Sequence, residues 1–134
     1  MCDGKYKLLK QWFSVTWYLD KTTELVIFLT NNHYLQGWME ERGYWGFQNV
    51  LTKIDFDDLL VCLERVYDSS DDEFHEYFPE KYIRKCGLWN FEKPEYRRYC
   101  RDQMNKMFDK LQEVQEKFDN GITGVMTYNI YYEH

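Results

Sequence analysis

The segment from Pro94 to Asn120 constrains the fold more than any other, because it has the pattern of one long amphipathic helix. Pro94 suits the first helical turn, and Asn120 followed by Gly121 favours a left-handed stop. At about 1.5 Å per residue, about 25 residues form a rod of roughly 38 Å, long enough to span a small domain. We therefore predict a helix near 94–119 against which the rest packs. Its apolar face repeats at spacings of three and four: Cys100, Met104, Met107, Leu111, Val114 and Phe118.

The apolar seam of this helix has two interpretations. A heptad-like spacing over residues 100–118 also suits pairing with a second helix, so the sequence leaves open a homodimer through this seam. Packing within the chain is favoured, because the flanking strands need a partner layer of their own.

Three strands are predicted from alternating or continuous apolar patterns. Residues 11–19 alternate between two faces, and residues 24–30 are apolar on both, so the two segments predict a β-hairpin. Residues 122–132 alternate again and predict a terminal strand that pairs with the hairpin. Residues 48–54 form a weaker candidate for a further strand.

Helices are predicted between these strands. Asn31 or Asn32 can cap a short helix that Gly43 ends, and Asp55 is an N-cap candidate for a helix over 55–68, with acidic residues in its first turn. Ser70 and Glu73 match a capping box for another helix, which Pro79 interrupts and the pair at 86–87 ends. The order β-β-α-β-α-α-α-β predicts a single α+β domain over residues 1–134, with a mostly antiparallel sheet packed on one face by helices.

Charge is distributed unevenly along the chain. The net charge is −6, but residues 55–80 hold ten acids and one base, whereas residues 81–110 hold nine bases and four acids. Direct binding of nucleic acid is disfavoured, because it requires a basic face, although the second block could form a local basic patch.

The acidic stretch is the first candidate site. Carboxylates along two successive helices can present negative charge at intervals comparable to phosphates, and such a surface can occupy the basic groove of a nucleic-acid-handling protein. The plainer interpretation is a solvated face with acids at helix starts. The candidate partner-binding carboxylates are Asp57, Asp58, Asp71, Asp72, Glu73 and Glu76.

The aromatic and glycine-rich stretch over residues 37–47 is the second candidate. Trp45 could anchor a protein partner, or the stretch could form a stacking wall for a nucleotide or another small molecule. The plainer interpretation is that the glycines shape a turn while the aromatic side chains fill the core.

Catalytic and metal-binding motifs do not emerge. The chain has no Gly-x-Ser-x-Gly elbow, no phosphate-binding Gly-Lys-Ser/Thr and no Cys-x-x-Cys pair, and His75, Cys86 and Cys100 are spaced too widely for a zinc set. We therefore assign no catalytic residue, cofactor or metal. Cys62 and Cys100 fall on apolar helix faces, which is typical of reduced core thiols. Without an apolar stretch of about 18 residues or a signal peptide, a cytoplasmic location is expected, in the host cytoplasm if the chain is viral.

These patterns favour a small, non-enzymatic binding protein. We expect an inhibitor, of the phage anti-defence or toxin-immunity type, that docks on a nuclease or other nucleic-acid-handling protein through the acidic helical face. The alternative is a small-molecule or nucleotide binding domain, or an enzyme, that uses the stretch 37–47.

Overall fold

A computed structural model describes residues 8–79 and 93–133 of the chain. The predicted α+β class, with a sheet packed on one face by helices, is confirmed. The elements are β1 (Leu8–Trp17), β2 (Thr22–Thr30), α1 (His33–Glu41), β3 (Gln48–Val50), α2 (Lys53–Asp68), a 3₁₀ helix (Phe74–Tyr77), α3 (Pro94–Asp119) and β4 (Gly124–Glu133).

The four strands form one antiparallel sheet in the order β2-β1-β4-β3. The predicted hairpin and the pairing of the terminal strand with it are both confirmed. Strands β1 and β4 stay in register over ten residue pairs, whereas the β1–β2 pairing carries an irregularity between Phe13 and Ser14. The weak strand predicted over 48–54 is confirmed only over its first three residues, because the chain turns into α2 directly after it.

Strand β1 shows why the described helices cover one face of the sheet and not the other. Its odd-numbered residues are all buried, while its even-numbered residues are half-buried. The buried set packs against the helical layer, as the contact between the Trp17 and Phe118 rings at 5.5 Å shows. Alternation with period two therefore separates a core face from a second face on the same strand.

The long helix is confirmed as α3, with Pro94 in its first turn and Gly121 beyond its end at φ +86°. Its apolar seam is buried inside the chain: Cys100, Met104, Met107 and Leu111 are fully buried and Val114 is 6% exposed. These side chains are therefore not accessible to a second copy of the chain. No helix in the described part of the chain is long and apolar enough to cross a membrane.

Glycine is required where β4 begins. A Cβ atom on Gly124 would lie 2.6 Å from the carbonyl oxygen of Thr16 and 2.8 Å from Cε3 of Trp17. Only a residue without a side chain lets β4 approach the end of β1 this closely.

The predicted N-cap of α2 is wrong by three residues. Thr52, not Asp55, is the N-cap, because the Thr52 side chain accepts a hydrogen bond from the Asp55 backbone N–H at 3.1 Å. The helix begins at Lys53, which places Asp57 and Asp58 beyond the first turn.

The helix predicted after Ser70 is much shorter within the described residues. A 3₁₀ helix covers Phe74–Tyr77, and Tyr77 is 41% exposed. Phe74 and Phe78 are buried and contact the Tyr34 ring. The predicted stop at 86–87 lies outside the described residues.

Candidate docking surfaces

The predicted acidic residues on α2 are both paired with bases of the same chain. Asp57 Oδ1 lies 2.8 Å from Lys53 Nζ, one helical turn earlier. Asp58 Oδ2 accepts from the guanidinium of Arg42 at 2.8 Å, and the same guanidinium contacts Asp55 at 2.9 Å. A carboxylate held in this way offers less negative charge to a partner than an unpaired one.

Asp71 is paired with α3. Arg98 Nε and Arg101 Nη1 lie 3.4 Å and 3.3 Å from its two carboxylate oxygens. The basic block predicted from the sequence therefore neutralises part of the acidic block, because α3 packs beside the end of α2. Arg101 also donates to the backbone carbonyls of Val66 at 3.3 Å and Tyr67 at 3.1 Å. Its guanidinium therefore joins α3 to the last turn of α2.

The other three predicted carboxylates are exposed and unpaired. Asp72, Glu73 and Glu76 lie within and just before the 3₁₀ helix, and no described residue gives their carboxylates an ion pair or hydrogen bond. The sequence did not separate these three from Asp58 and Asp71, because the arginines that pair with Asp58 and Asp71 lie on other elements.

Asp55 holds the loop before β3 against α2. The Tyr44 hydroxyl donates to its carboxylate, and Arg42 and Thr52 donate as well. The hydrogen bond from Tyr44, with those from Arg42 and Thr52, lowers the pKa of Asp55 against the opposing effect of burial. Three side chains donate to this carboxylate, so we assign it a structural role.

A cleft of about 580 Å³ lies between α1, α2 and the 3₁₀ helix. The guanidinium of Arg42 lies 4.1 Å from the centre of the Trp38 ring at one side of it. The sequence did not reveal this cleft, because its walls come from three separate elements. Its charged lining combines three acids with two bases: Glu41, Asp58, Glu76, Arg42 and Arg65.

The sheet face opposite the helices carries a row of aromatic rings. Trp12 on β1 stacks on Phe28 of β2 with ring centres 6.3 Å apart, and it meets Phe47 edge-on at 6.2 Å. Phe47 in turn meets Tyr131 of β4 at 6.4 Å. We call this surface the open sheet face. Leu25 and Val50 extend it with exposed fractions of 62% and 60%.

The stretch 37–47 does not form a single wall. Trp38 lies beside the cleft, Tyr44 bonds to the start of α2, and Phe47 belongs to the open sheet face. Trp45, the predicted anchor, is 72% exposed. Trp38, Tyr44 and Phe47 thus lie in three different parts of the structure.

The two thiols of the described residues are buried. Cys62 and Cys100 are free thiols and buried, and burial raises the pKa of Cys62 to about 11 and that of Cys100 to about 12. Within residues 8–79 and 93–133, no group of three or more His, Cys, Asp or Glu side chains is placed to hold a metal ion.

Comparison with known proteins finds no matching family, no matching curated protein and no matching solved structure.

Proposed function

We propose that this chain is a small, cytoplasmic, non-enzymatic binding protein that docks on a basic surface of a nucleic-acid-handling protein. One observation carries the proposal: Asp72, Glu73 and Glu76 hold three exposed carboxylates in five residues, without a cationic partner in the described part of the chain. These are the carboxylates that a basic groove can attract. Asp57, Asp58 and Asp71 form ion pairs within the chain, so their charge is partly neutralised.

The physical basis is charge complementarity. A groove that binds nucleic acid is lined by Lys and Arg, and an acidic protein approaches it faster than a neutral one does. Free carboxylates produce the field that steers this encounter, whereas carboxylates already bonded to Arg or Lys contribute little to it. Occupying such a groove blocks its use, which is the action of an inhibitor of the phage anti-defence or toxin-immunity type.

The test reverses only the free carboxylates. The variant Asp72→Lys/Glu73→Lys/Glu76→Lys leaves every ion pair of the described residues intact. Its matched control is Asp109→Lys/Glu113→Lys/Glu116→Lys, which makes the same change in net charge on an exposed face of α3. Proteins from host lysate are captured on each immobilised chain and then challenged with duplex DNA.

We expect a basic protein that is retained by the unmodified chain and by the control, and is displaced by duplex DNA. Its affinity for the first variant should fall by about 10-fold to 100-fold, because electrostatic complementarity is lost at the contact. Equal retention by both variants, or retention that DNA does not disturb, would overturn the proposal.

A further inference from the structure

The open sheet face carries almost no net charge, although the chain has a net charge of −6. In the described strands, the charged side chains that register places on this face are Lys10 and Glu133, and they form an ion pair with each other. The rest of the face is aromatic, aliphatic or small and polar. Charge depletion together with enrichment in aromatic residues is the composition of an interface core.

The acids lie on the other side of the molecule. Helix α2 and the 3₁₀ helix, which carry the acidic stretch, pack with α3 on the covered side of the sheet. Two copies of the chain can therefore approach through their open sheet faces without bringing their acidic stretches together. A twofold contact requires a patch that is compatible with itself, and this patch meets that condition.

We propose that two copies of this chain pair through their open sheet faces and form a sheet-on-sheet dimer. Two such sheets pack about 10 Å apart with their strands about 30° from parallel. The centre of the contact is formed by four aromatic rings of each copy, which become buried when the dimer forms: Trp12, Phe28, Phe47 and Tyr131. The acidic stretches then face outward at opposite ends of the dimer.

The available area suits this occupant. Three strands of about ten residues, about 4.8 Å apart, and the three residues of β3 give a face of about 500 Å² per copy. Two copies bury about 1,000 Å², which is about the least that a specific interface requires.

Two other occupants fit less well. A single-stranded nucleic acid would stack on these rings, but it also needs cations along its backbone, and the one lysine here is bonded to Glu133. A basic protein would be attracted to the opposite, acidic side of the molecule. A second copy needs neither kind of charge on this face.

The test places charge on the most exposed aliphatic positions of the face. Leu25→Lys/Val50→Lys removes no core side chain, because both residues are more than half exposed. The matched control is Ile54→Lys/Val61→Lys on α2, where the exposed fractions are 73% and 48%. Sedimentation equilibrium measures the mass of each full-length chain, and circular dichroism checks that each variant is folded.

We expect the unmodified chain and the control to sediment at twice the chain mass of 16.6 kDa at micromolar concentration. The Leu25/Val50 variant should be monomeric, with a dissociation constant raised at least about tenfold. High salt should leave the dimer intact, because the contact is apolar.

A monomeric unmodified chain would overturn the proposal, and so would a dimer that persists in the Leu25/Val50 variant. Dissociation of the dimer by salt would also contradict it, since that behaviour indicates a contact between charges. None of these results bears on the acidic docking site, which is tested by different residues and a different readout.

Discussion

At the scale of single residues, Asp55 links pH to stability. Its pKa in the folded state is lowered, chiefly by the hydrogen bond from Tyr44, so the ionised form stabilises the fold. That stabilisation is present above the pKa of the unfolded state, which is about 4, and it is lost as pH falls through the lower pKa of the folded state. Asp55→Asn should therefore cost about 1 kcal/mol at neutral pH, and the cost should shrink on acidification.

Urea unfolding at several pH values measures this difference between Asp55→Asn and the unmodified chain. Asp57→Asn is the matched control, because Asp57 forms an exposed pair with Lys53 and should contribute only about 0.3–0.5 kcal/mol. If the cost of Asp55→Asn were the same from neutral to acid pH, this role for the carboxylate would be wrong.

At the scale of elements, Arg101 joins α3 to the end of α2. Its guanidinium donates to the carbonyls of Val66 and Tyr67 and to the carboxylate of Asp71, and its side chain is 23% exposed. Cations near the C-terminal carbonyls of a helix are favourable, and a fork of donors can serve several acceptors at once. We expect Arg101→Gln to lower the free energy of unfolding by about 1–3 kcal/mol.

Arg98 provides the comparison for that measurement. It contacts the same Asp71 carboxylate at 3.4 Å, but its side chain is 66% exposed. Arg98→Gln should change the free energy of unfolding by less than about 0.5 kcal/mol, and Arg101→Lys should restore only part of the loss, since an ammonium lacks the fork. Equal effects of Arg98→Gln and Arg101→Gln would show that Arg101 does not fasten α2.

At the scale of the whole molecule, the buried thiols report on how tightly the two layers close. Cys62 on α2 is 7% exposed and Cys100 on α3 is fully buried, and burial raises the pKa of both thiols. In a variant with Cys2 and Cys86 changed to Ser, the native chain should therefore react very slowly with a disulfide reagent at about pH 8, and both thiols should react once urea unfolds it. Rapid labelling of the native variant would indicate that the helices do not close over the sheet as described.

The same scale explains how far the candidate surfaces could be predicted. Glu76 and its two acidic neighbours were identified from composition, but their difference from Asp71 depends on Arg101, which lies 30 residues further along the chain. The sequence indicates one residue of the open sheet face, because Trp12 falls on the second face of an alternating strand. Its partner rings come from three separated segments, so local pattern could not assemble them.

The sequence by itself determined the elements and their faces: the long α3 with its buried seam, the opening hairpin, the terminal strand and the α+β class. These follow from hydrophobic periodicity and from capping residues, which act over a few neighbouring positions. Within the described residues, tertiary structure alone decided which carboxylates stay free, where the cleft lies and which sheet face the helices leave uncovered. Each of these depends on contacts between side chains from distant segments of the chain, and a local sequence pattern does not specify such contacts.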